Sequence, residues 1–419
     1  MNTLKRKERF IPYRKTDIIA MCCDDAHLSE KDVLKFQDVC KLLSSIFHFR
    51  FHKSLETLKD SYAPVNPDLD TQLVYPKTEE EKTQMESVLI SELKQLLDAA
   101  NFEVITKEDL DNAMQEESLF KIRLNVDFDD FEEVLFFRRG ESEKEETLIS
   151  WFGLRKKKIS FINYGRVVIY VKYKDQKYFD QQKRKQLFFT PGSTIIKLFQ
   201  NIPRSDLEML FPNTEVRMKT IDKLIIGVPA AVGGIIMLAT KLGATLILTG
   251  TLLAFWLGMR DEPVVLDQTA LLGLAAGFGT LGAFLWKQFS NFKNRKIQFM
   301  KTLADNLYFK NLDNNTGVFH RLIDAAEEEE CKETILAYYF LLRSGKAMDT
   351  EELDRNIEQW FQEHYQQSLD FEIQDALRKL EELGLAITRD NMISAIPLND
   401  ARIKLDAIWD SYFEFNYTT

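Results

Sequence analysis

Two sets of histidine and carboxylate side chains have a spacing that could bind a metal ion. Within each set the residues lie at i, i+4 and i+8, which places them within about 80° on one helix face. The sets are His48, His52, Glu56 and His320, Asp324, Glu328. Because imidazole and carboxylate suit zinc or iron, two such faces in contact could form a transition-metal site. If the faces do not meet, these residues are ordinary hydrogen-bonded histidines and surface carboxylates.

Motifs for other catalytic chemistry are missing from the sequence. It contains no Gly-rich phosphate loop, no Ser or Cys nucleophile motif and no paired-carboxylate signature. The four cysteines lack zinc-type spacing, and the adjacent Cys22 and Cys23 indicate reduced thiols in a cytoplasm-like compartment. The sequence therefore predicts no cofactor and leaves an enzymatic activity open, with the balance against it.

Long helices must position the two histidine sets. The N-cap signal at Ser29 and apolar residues at helical spacing predict a helix to about Lys59, with two more helices at Glu79–Ala100 and from Thr106. Residues 1–115 are thus predicted to be a helical region. The second set falls in a helix predicted at Val318–Leu342, within a helical connector at 290–347, and Glu327–Glu330 is expected to be its solvated face.

Residues 116–220 are predicted to be β-rich. Apolar and polar residues alternate from Phe120 to Phe128, as in a half-buried strand. Further strands are predicted at 134–138, 147–151, 158–162 and 166–173, with a hairpin turn at 163–165. Together they predict an antiparallel sheet of four or five strands.

An aromatic and basic cluster within this region could lie on a membrane surface. It consists of Trp151, Phe152, Arg155, Lys156, Lys157 and Lys158. Its rings would lie at the headgroup level and its cations on anionic lipid. A solvated hairpin with a charged rim is the equal alternative.

Residues 221–289 are predicted to form a transmembrane region. Leu224–Gly258 has one charged residue, Lys241, and Gln268–Trp286 has none. A bilayer core about 30 Å thick needs roughly 20 apolar helical residues, so each block can supply a span. The first block is too long for one span, and Pro229 and the following glycines should break it. We predict spans at about 235–258 and 268–287; three spans, with a turn at Lys241–Gly243, are the alternative.

Charge and small residues favour a two-span transmembrane helical hairpin. Lys and Arg are in excess on both outer flanks, which predicts that both are cytoplasmic and the number of spans even. Small residues spaced for close helix packing are Gly250, Ala254, Gly258, Gly273 and Gly277.

Residues 348–419 are predicted to form a helical, winged-helix-like domain. Helices are expected at Thr350–Tyr365, Asp370–Leu383 and Asp400–Phe413, with two short strands between the last two. The recognition-helix candidate, Asp370–Leu383, carries a net charge of −3 and the whole chain −10, which repels phosphate and predicts no nucleic-acid partner. A protein-interaction role is favoured instead.

Five motifs stand out along the chain: Arg6–Pro12, Tyr62–Pro64, Trp151–Arg155, Asn201–Pro212 and Asn306–Asp313. They resemble the transmembrane protein 143 family, mitochondrial membrane proteins with bacterial and plant relatives. The resemblance implies a two-span protein whose conserved domain has no assigned activity. Mitochondrial members look as if they carry a presequence before the Arg-Phe-Ile-Pro motif, which begins here at Arg9. A bacterial protein of the cytoplasmic (inner) membrane is therefore expected.

The sequence thus predicts an α+β integral membrane protein, multi-pass, with both termini cytoplasmic. Its leading function is that of a membrane-anchored scaffold or regulatory interaction protein, with the lipid bilayer and an unidentified protein as partners and homo-oligomers left open. One alternative is a small-solute channel or transporter made of oligomerised hairpins. The other is a metal-dependent membrane enzyme that uses the histidine faces.

Overall fold

The computed structural model is an α+β protein and describes residues 7–25, 27–72, 74–115, 123–150, 155–182, 187, 189–217, 243–259 and 268–413. The chain divides into two units. Unit 1 comprises Met1–Gln115, Phe128–Ser205 and Lys310–Thr419, and unit 2 comprises Glu116–Asp127 and Asp206–Phe309. Unit 1 therefore combines chain segments from both sides of the predicted membrane region.

The N-terminal part of unit 1 is helical, as the sequence predicts. Its helices are α1 (Lys15–Asp24), α2 (Glu30–Tyr62), α3 (Glu79–Ala99) and α4 (Lys107–Gln115). The Ser29 side chain caps α2 by accepting from the backbone N–H of Asp32, and Thr78 forms a capping box with Glu81 at the start of α3.

One antiparallel sheet of five strands lies in unit 1. The described strands that precede residue 315 are β1 (Glu103–Val104), β2 (Arg123–Asn125), β3 (Phe131–Ser150), β4 (Arg155–Tyr173), β5 (Thr194–Pro203), β6 (Glu215–Arg217) and β7 (Asn311–Asn314). The order in the unit 1 sheet is β1-β3-β4-β5-β7, whereas β2 pairs with β6 in unit 2. A short helix, α5 (Gln176–Gln181), connects β4 with β5.

The hairpin turn predicted at Asn163–Gly165 is wrong, because these residues continue β4. Asn163 pairs with Ser142 on β3 and with Pro203 on β5. Gly140 has a φ of +74° and lies beside Gly165, where a Cβ would come within 3.2 Å of the Arg139 carbonyl oxygen. The two glycines thus allow β3 and β4 to approach closely. Gly165 is required by this approach and not by a reversal of the chain.

A long helix, α8 (Thr316–Ser344), connects the two hydrophobic cores of unit 1. Its residues from Val318 to Ala326 share a core with the sheet, α2 and α3. Its residues from Cys331 to Leu341 share the second core with α1, α2 and the C-terminal helices. The helix is therefore buried on most sides over its second half, unlike a helix with one solvated face.

The elements predicted for residues 348–419 are present in the predicted order. They are α9 (Thr350–Tyr365), α10 (Ile373–Glu382), β8 (Ala386–Arg389), β9 (Met392–Ala395) and α11 (Leu398–Ser411). Two helices of unit 2, at Gly243–Trp256 and Gln268–Lys310, precede them in the chain and are α6 and α7. Asp390 and Asn391, both with positive φ, form the tight turn between β8 and β9. These residues share one core with α1, α2 and α8.

The predicted two-span hairpin is wrong. The described part of unit 2 contains α6 (Gly243–Trp256) and most of α7 (Gln268–Lys310). Only Gln268–Asn291, within α7, is long and apolar enough to cross a membrane among the described residues. The described part of helix α6 has 14 residues, or about 21 Å, and ends before Gly258, whose φ is +69°. This described length is short of a bilayer core of about 30 Å.

The rest of the predicted first span and its connector, 218–242 and 260–267, lie outside the described residues. Of the small residues predicted to pack the two spans together, Gly250 and Ala254 lie on α6, Gly258 follows it, and Gly273 and Gly277 lie on α7. Among the described residues, a Cβ added at Gly250 or Gly258 would meet no atom within 4 Å. The structure therefore gives no close helix packing at these two positions.

Candidate functional site

The two histidine sets lie on α2 and α8, which pack against each other in unit 1. His48 Nδ1 is 2.9 Å from an Oε of Glu327, which precedes the predicted ligand Glu328. Glu328 instead accepts from the backbone N–H of Lys15 (2.6 Å), and Glu56 pairs with Lys59 (2.9 Å). Within the described ranges, no group of three or more His, Cys, Asp or Glu side chains could hold a metal ion. The geometry thus gives the metal-site prediction no support.

The predicted membrane-surface cluster is described only in part. Trp151 and Phe152 lie outside the described residues, while Arg155 to Lys158 begin strand β4. Lys158 is exposed and lies 3.6 Å from Glu145 on the neighbouring strand β3. The lipid contact stays a prediction.

The strongest candidate site is a pocket of about 320 Å³ in unit 1, which we call the arginine pocket. Strands β3 and β4, helix α8 and the N-terminal segment at 10–14 contribute to its walls. Its charged side chains are the cations Arg14, Arg139, Arg166, Arg321 and Lys332 and the acids Asp324, Glu328 and Glu329. The excess of positive charge contrasts with the net charge of −10 of the chain.

Arg139 and Arg166 are opposite each other on neighbouring strands β3 and β4. Arg139 donates to the carbonyl oxygen of Ala100, and Arg166 donates to that of Gly165, each at 3.0 Å. In the described parts of the chain, neither guanidinium pairs with a carboxylate within 4.0 Å. Since like charges directly opposite each other destabilise an antiparallel pair, this arrangement has a cost in stability.

The environment of Arg139 is partly apolar. Its Cζ lies 4.4 Å from the ring centre of Phe10 and 4.8 Å from that of Phe102. Burial lowers the pKa of Arg139 to about 10, so that the side chain is still a cation at neutral pH. Burial, and then the charge of Arg321, lowers the pKa of Arg166. Arg166 also lowers the pKa of Arg139, whereas Glu329 and Glu328 raise it, so that repulsion and attraction both act on this side chain.

Two of the pocket's charges neutralise each other. Lys332 donates to Glu329 at 2.7 Å and also to the carbonyl oxygens of Ile11 (2.7 Å) and Tyr13 (3.0 Å). Glu329 in turn accepts from the backbone N–H of Ile11 at 3.2 Å. This buried pair therefore holds the N-terminal segment against α8, and neither of its members forms an ion pair with the pocket's arginines among the described residues.

A second buried group of charges lies one helical turn away. The ammonium of Lys379, on α10, is 2.6 Å from Glu330, 2.9 Å from Glu333 and 2.7 Å from Asp375. Glu333 also accepts from the side-chain amide of Asn101 at 2.8 Å. Burial, only partly offset by Lys379, raises the pKa of Glu330 to about 7. We call these five residues the Lys379 cluster.

Sequence reasoning missed both groups of charges. The expectation of a solvated face at Glu327–Glu330 is wrong for its last two members, since Glu329 is 1% and Glu330 8% exposed. The available signal was the apolar sequence on both sides, Ala325-Ala326 before the acids and Ile335 to Leu342 after them. Carboxylates inside a helix that is buried on most sides must find partners, which here are Lys332 and Lys379.

The chain is similar to a known family over part of its length. A family model described as "Protein of unknown function (DUF3754)" matches residues 164–317. The matched stretch includes Arg166 on β4 and Asp313 on β7, but Arg139 and Arg321 lie outside it. No solved structure matches the chain.

Proposed function

We propose that the protein is a membrane-anchored scaffold or regulatory interaction protein, attached to the bilayer through Gln268–Asn291. The observation that carries this proposal is the exposure of that helix. Only 6% of its most apolar window is buried, and Leu272, Phe278 and Trp286 are each more than half exposed. A water-soluble protein rarely exposes so long an apolar surface without covering it.

The chain segments that make up unit 1 restrict how the membrane segment can be placed. Unit 1 combines residues before and after Gln268–Asn291 into one folded body, with β5 paired to β7 across that interval. The two ends of the interval between β5 and β7, which contains the apolar segment, must therefore lie on the same side of the bilayer. The Lys and Arg residues that follow from Lys287 to Lys301 favour the cytoplasmic side.

An interaction role for unit 1 is favoured by an exposed apolar surface near the C-terminus. Trp409 and Phe413, on α11 and just after it, are exposed and pack edge-on against Phe49 of α2, with ring centres 6.3 and 5.3 Å away. Ile403 is exposed on another part of α11. Exposed aromatic and aliphatic side chains are typical of protein interfaces. This surface is the part of unit 1 that we expect a protein partner to cover.

Alkaline extraction of membranes tests the anchoring. The full chain should stay in the membrane pellet, whereas a Leu271→Arg, Phe278→Arg variant should move to the supernatant, since each arginine in a span costs about 2.5–3.5 kcal/mol. Ile403→Arg, which places the same charge on α11, is the control and should stay in the pellet. Release of the unaltered chain would reject the anchor.

The mass and composition of the particle purified in mild detergent test the interaction role. A second protein in fixed stoichiometry, lost in the Ile403→Arg variant, would support a scaffold with a partner at α11. A particle made of this chain alone, unchanged by that substitution, would contradict it.

A further inference from the structure

The arginine pocket has the properties of a site that is completed by an anion. Arg139 and Arg166 come from adjacent strands and Arg321 from helix α8, so that three guanidinium groups from three elements line one pocket. Such a convergence requires a precise fold and is opposed by charge repulsion. A bound anion would remove that repulsion.

None of the pocket's acids forms an ion pair with Arg139 or Arg166 among the described residues. Glu329 is paired with Lys332, and Glu328 accepts from the backbone N–H of Lys15. Both carboxylates still act on Arg139 through their charge. Asp324 is exposed. Arg321 pairs with Asp313, which lies 3.0 Å from its Nε. In the described part of the chain, Arg139 and Arg166 therefore meet no carboxylate within 4.0 Å.

The donors that remain fit an anion with several oxygens. A guanidinium carries five N–H donors in a planar fork, and Arg139 and Arg166 each make one hydrogen bond through one terminal nitrogen. Two forks can hold a tetrahedral dianion through paired hydrogen bonds, which is why arginines are frequent in phosphate sites. A single carboxylate would neutralise only one of the two cations.

The other walls suit an organic substituent. At about 320 Å³ the pocket is larger than inorganic phosphate needs. Phe102, Leu198, Leu312 and Leu322 line it beside the arginines. A phosphate group at Arg139 and Arg166 would thus leave an apolar region for the group that it esterifies.

We propose that the arginine pocket binds a phosphate monoester, with Arg139 and Arg166 holding the phosphate oxygens and the apolar walls holding the organic part. The ester is either a soluble metabolite or the headgroup of a phosphatidic acid-type lipid. The proposal does not depend on membrane anchoring, because every residue that carries it lies in unit 1.

Thermal unfolding and calorimetric titration of the full chain in detergent test the proposal. The probes are inorganic phosphate and glycerol 3-phosphate, and the variant is Arg166→Gln. Without ligand, Arg166→Gln should unfold at the same temperature as the unaltered chain or higher, because it removes a like-charge pair. The same variant should bind glycerol 3-phosphate roughly 10- to 100-fold more weakly, as expected for lost charged hydrogen bonds. A purely structural arginine would give the opposite result, a lower unfolding temperature without ligand.

The matched control is Arg402→Gln, which removes an equal charge from α11, where Arg402 pairs with Asp38 at 3.2 Å. It should leave phosphate binding unchanged. No binding of either probe by the unaltered chain would overturn the proposal, and so would equal losses in the two variants.

A comparison of two esters identifies the source of the phosphate. Glycerol 3-phosphate and the short-chain lipid dihexanoyl phosphatidic acid carry the same phosphate, but only the second carries acyl chains. Tighter binding of the lipid, lost in Arg166→Gln, would indicate a lipid headgroup. Equal binding of both would indicate a soluble phosphate ester, and either result supports phosphate recognition.

Discussion

Replacing Lys379 by methionine should destabilise the protein in a pH-dependent way. The Lys379 side chain is 2% exposed and its ammonium contacts three carboxylates, so the substitution removes the cation while nearly keeping the side-chain volume. Two of the three carboxylates keep another described partner. Glu333 keeps Asn101, and Asp375 keeps Arg378. Glu330 is the carboxylate that loses its described side-chain partner.

The expected loss in unfolding free energy comes mainly from Glu330, the carboxylate left without a described partner. Removing one member of a buried ion pair costs about 3–5 kcal/mol when the other member stays charged and unpaired. Glu330 has a pKa raised to about 7 even with Lys379 present, and without the ammonium it takes up a proton more readily. We therefore expect a loss of about 3 kcal/mol in unfolding free energy at pH 8. The loss should shrink toward about 1 kcal/mol at pH 5, where the Glu330 carboxylate is protonated.

Thermal unfolding of the full chain, followed by circular dichroism at pH 5 and pH 8, measures this effect. A loss of about 3 kcal/mol corresponds to a decrease of about 6 °C in a body of this size. Lys346→Met, on the exposed turn after α8, is the control and should change the midpoint little. Adding Glu330→Gln to Lys379→Met should restore much of the stability at pH 8. A loss below about 1 kcal/mol at pH 8, or one of the same size at both pH values, would refute the reasoning.

Two further substitutions in unit 1 test the charge of Glu330 by itself and the close approach of strands β3 and β4. Because the folded-state pKa of Glu330 is raised from 4.5 to about 7, its contribution to stability is present below pH 4.5 and lost as the pH rises through 7. In the unaltered chain this carboxylate should lower the unfolding free energy by up to about 3 kcal/mol between pH 5 and pH 8. The single variant Glu330→Gln should lack that decrease, which urea unfolding at several pH values would measure. Gly165→Ala should cost about 1–3 kcal/mol in the same assay, since its Cβ would lie 3.2 Å from the Arg139 carbonyl oxygen and 3.3 Å from that of Gly140. Gly279→Ala, on helix α7 where a Cβ meets no atom within 4 Å, should not destabilise the protein, and equal losses in the two variants would contradict the close approach of β3 and β4.

Among the local elements of unit 1, the sequence predicts those that begin at a cap or surround a tight turn, whereas α1 is not predicted and the two long strands β3 and β4 are each predicted as two short ones. The cap at Ser29, the capping box at Thr78 and the turn at Asp390 are short-range signals, and the helices and strands next to them begin within a few residues of the expected positions. Such signals depend on hydrogen bonds between residues three or four apart. They are therefore readable without knowledge of the fold.

The candidate site depends on pairings between distant residues. Arg139 and Arg166 are separated in sequence and become neighbours only through the register of β3 with β4. Lys379 meets Glu333 across 46 positions of sequence. Neither pairing leaves a periodic pattern in one element, and a charged residue in a helix is more often solvated than buried. The close approach of Gly165 to Gly140 also depends on the pairing of β3 with β4, whereas the sequence Asn163–Gly165 by itself is typical of a turn.

Unit 1 cannot be completed in the order in which its chain is synthesised. Strand β5 is made more than a hundred residues before its partner β7, and α1 and α2 are made before the C-terminal helices that share their core. Until Asn311–Asn314 is synthesised, β5 has an open edge that can pair with other chains. Folding of this body is thus a late, slow step dominated by long-range contacts, in which the nascent N-terminal half depends on protection from aggregation.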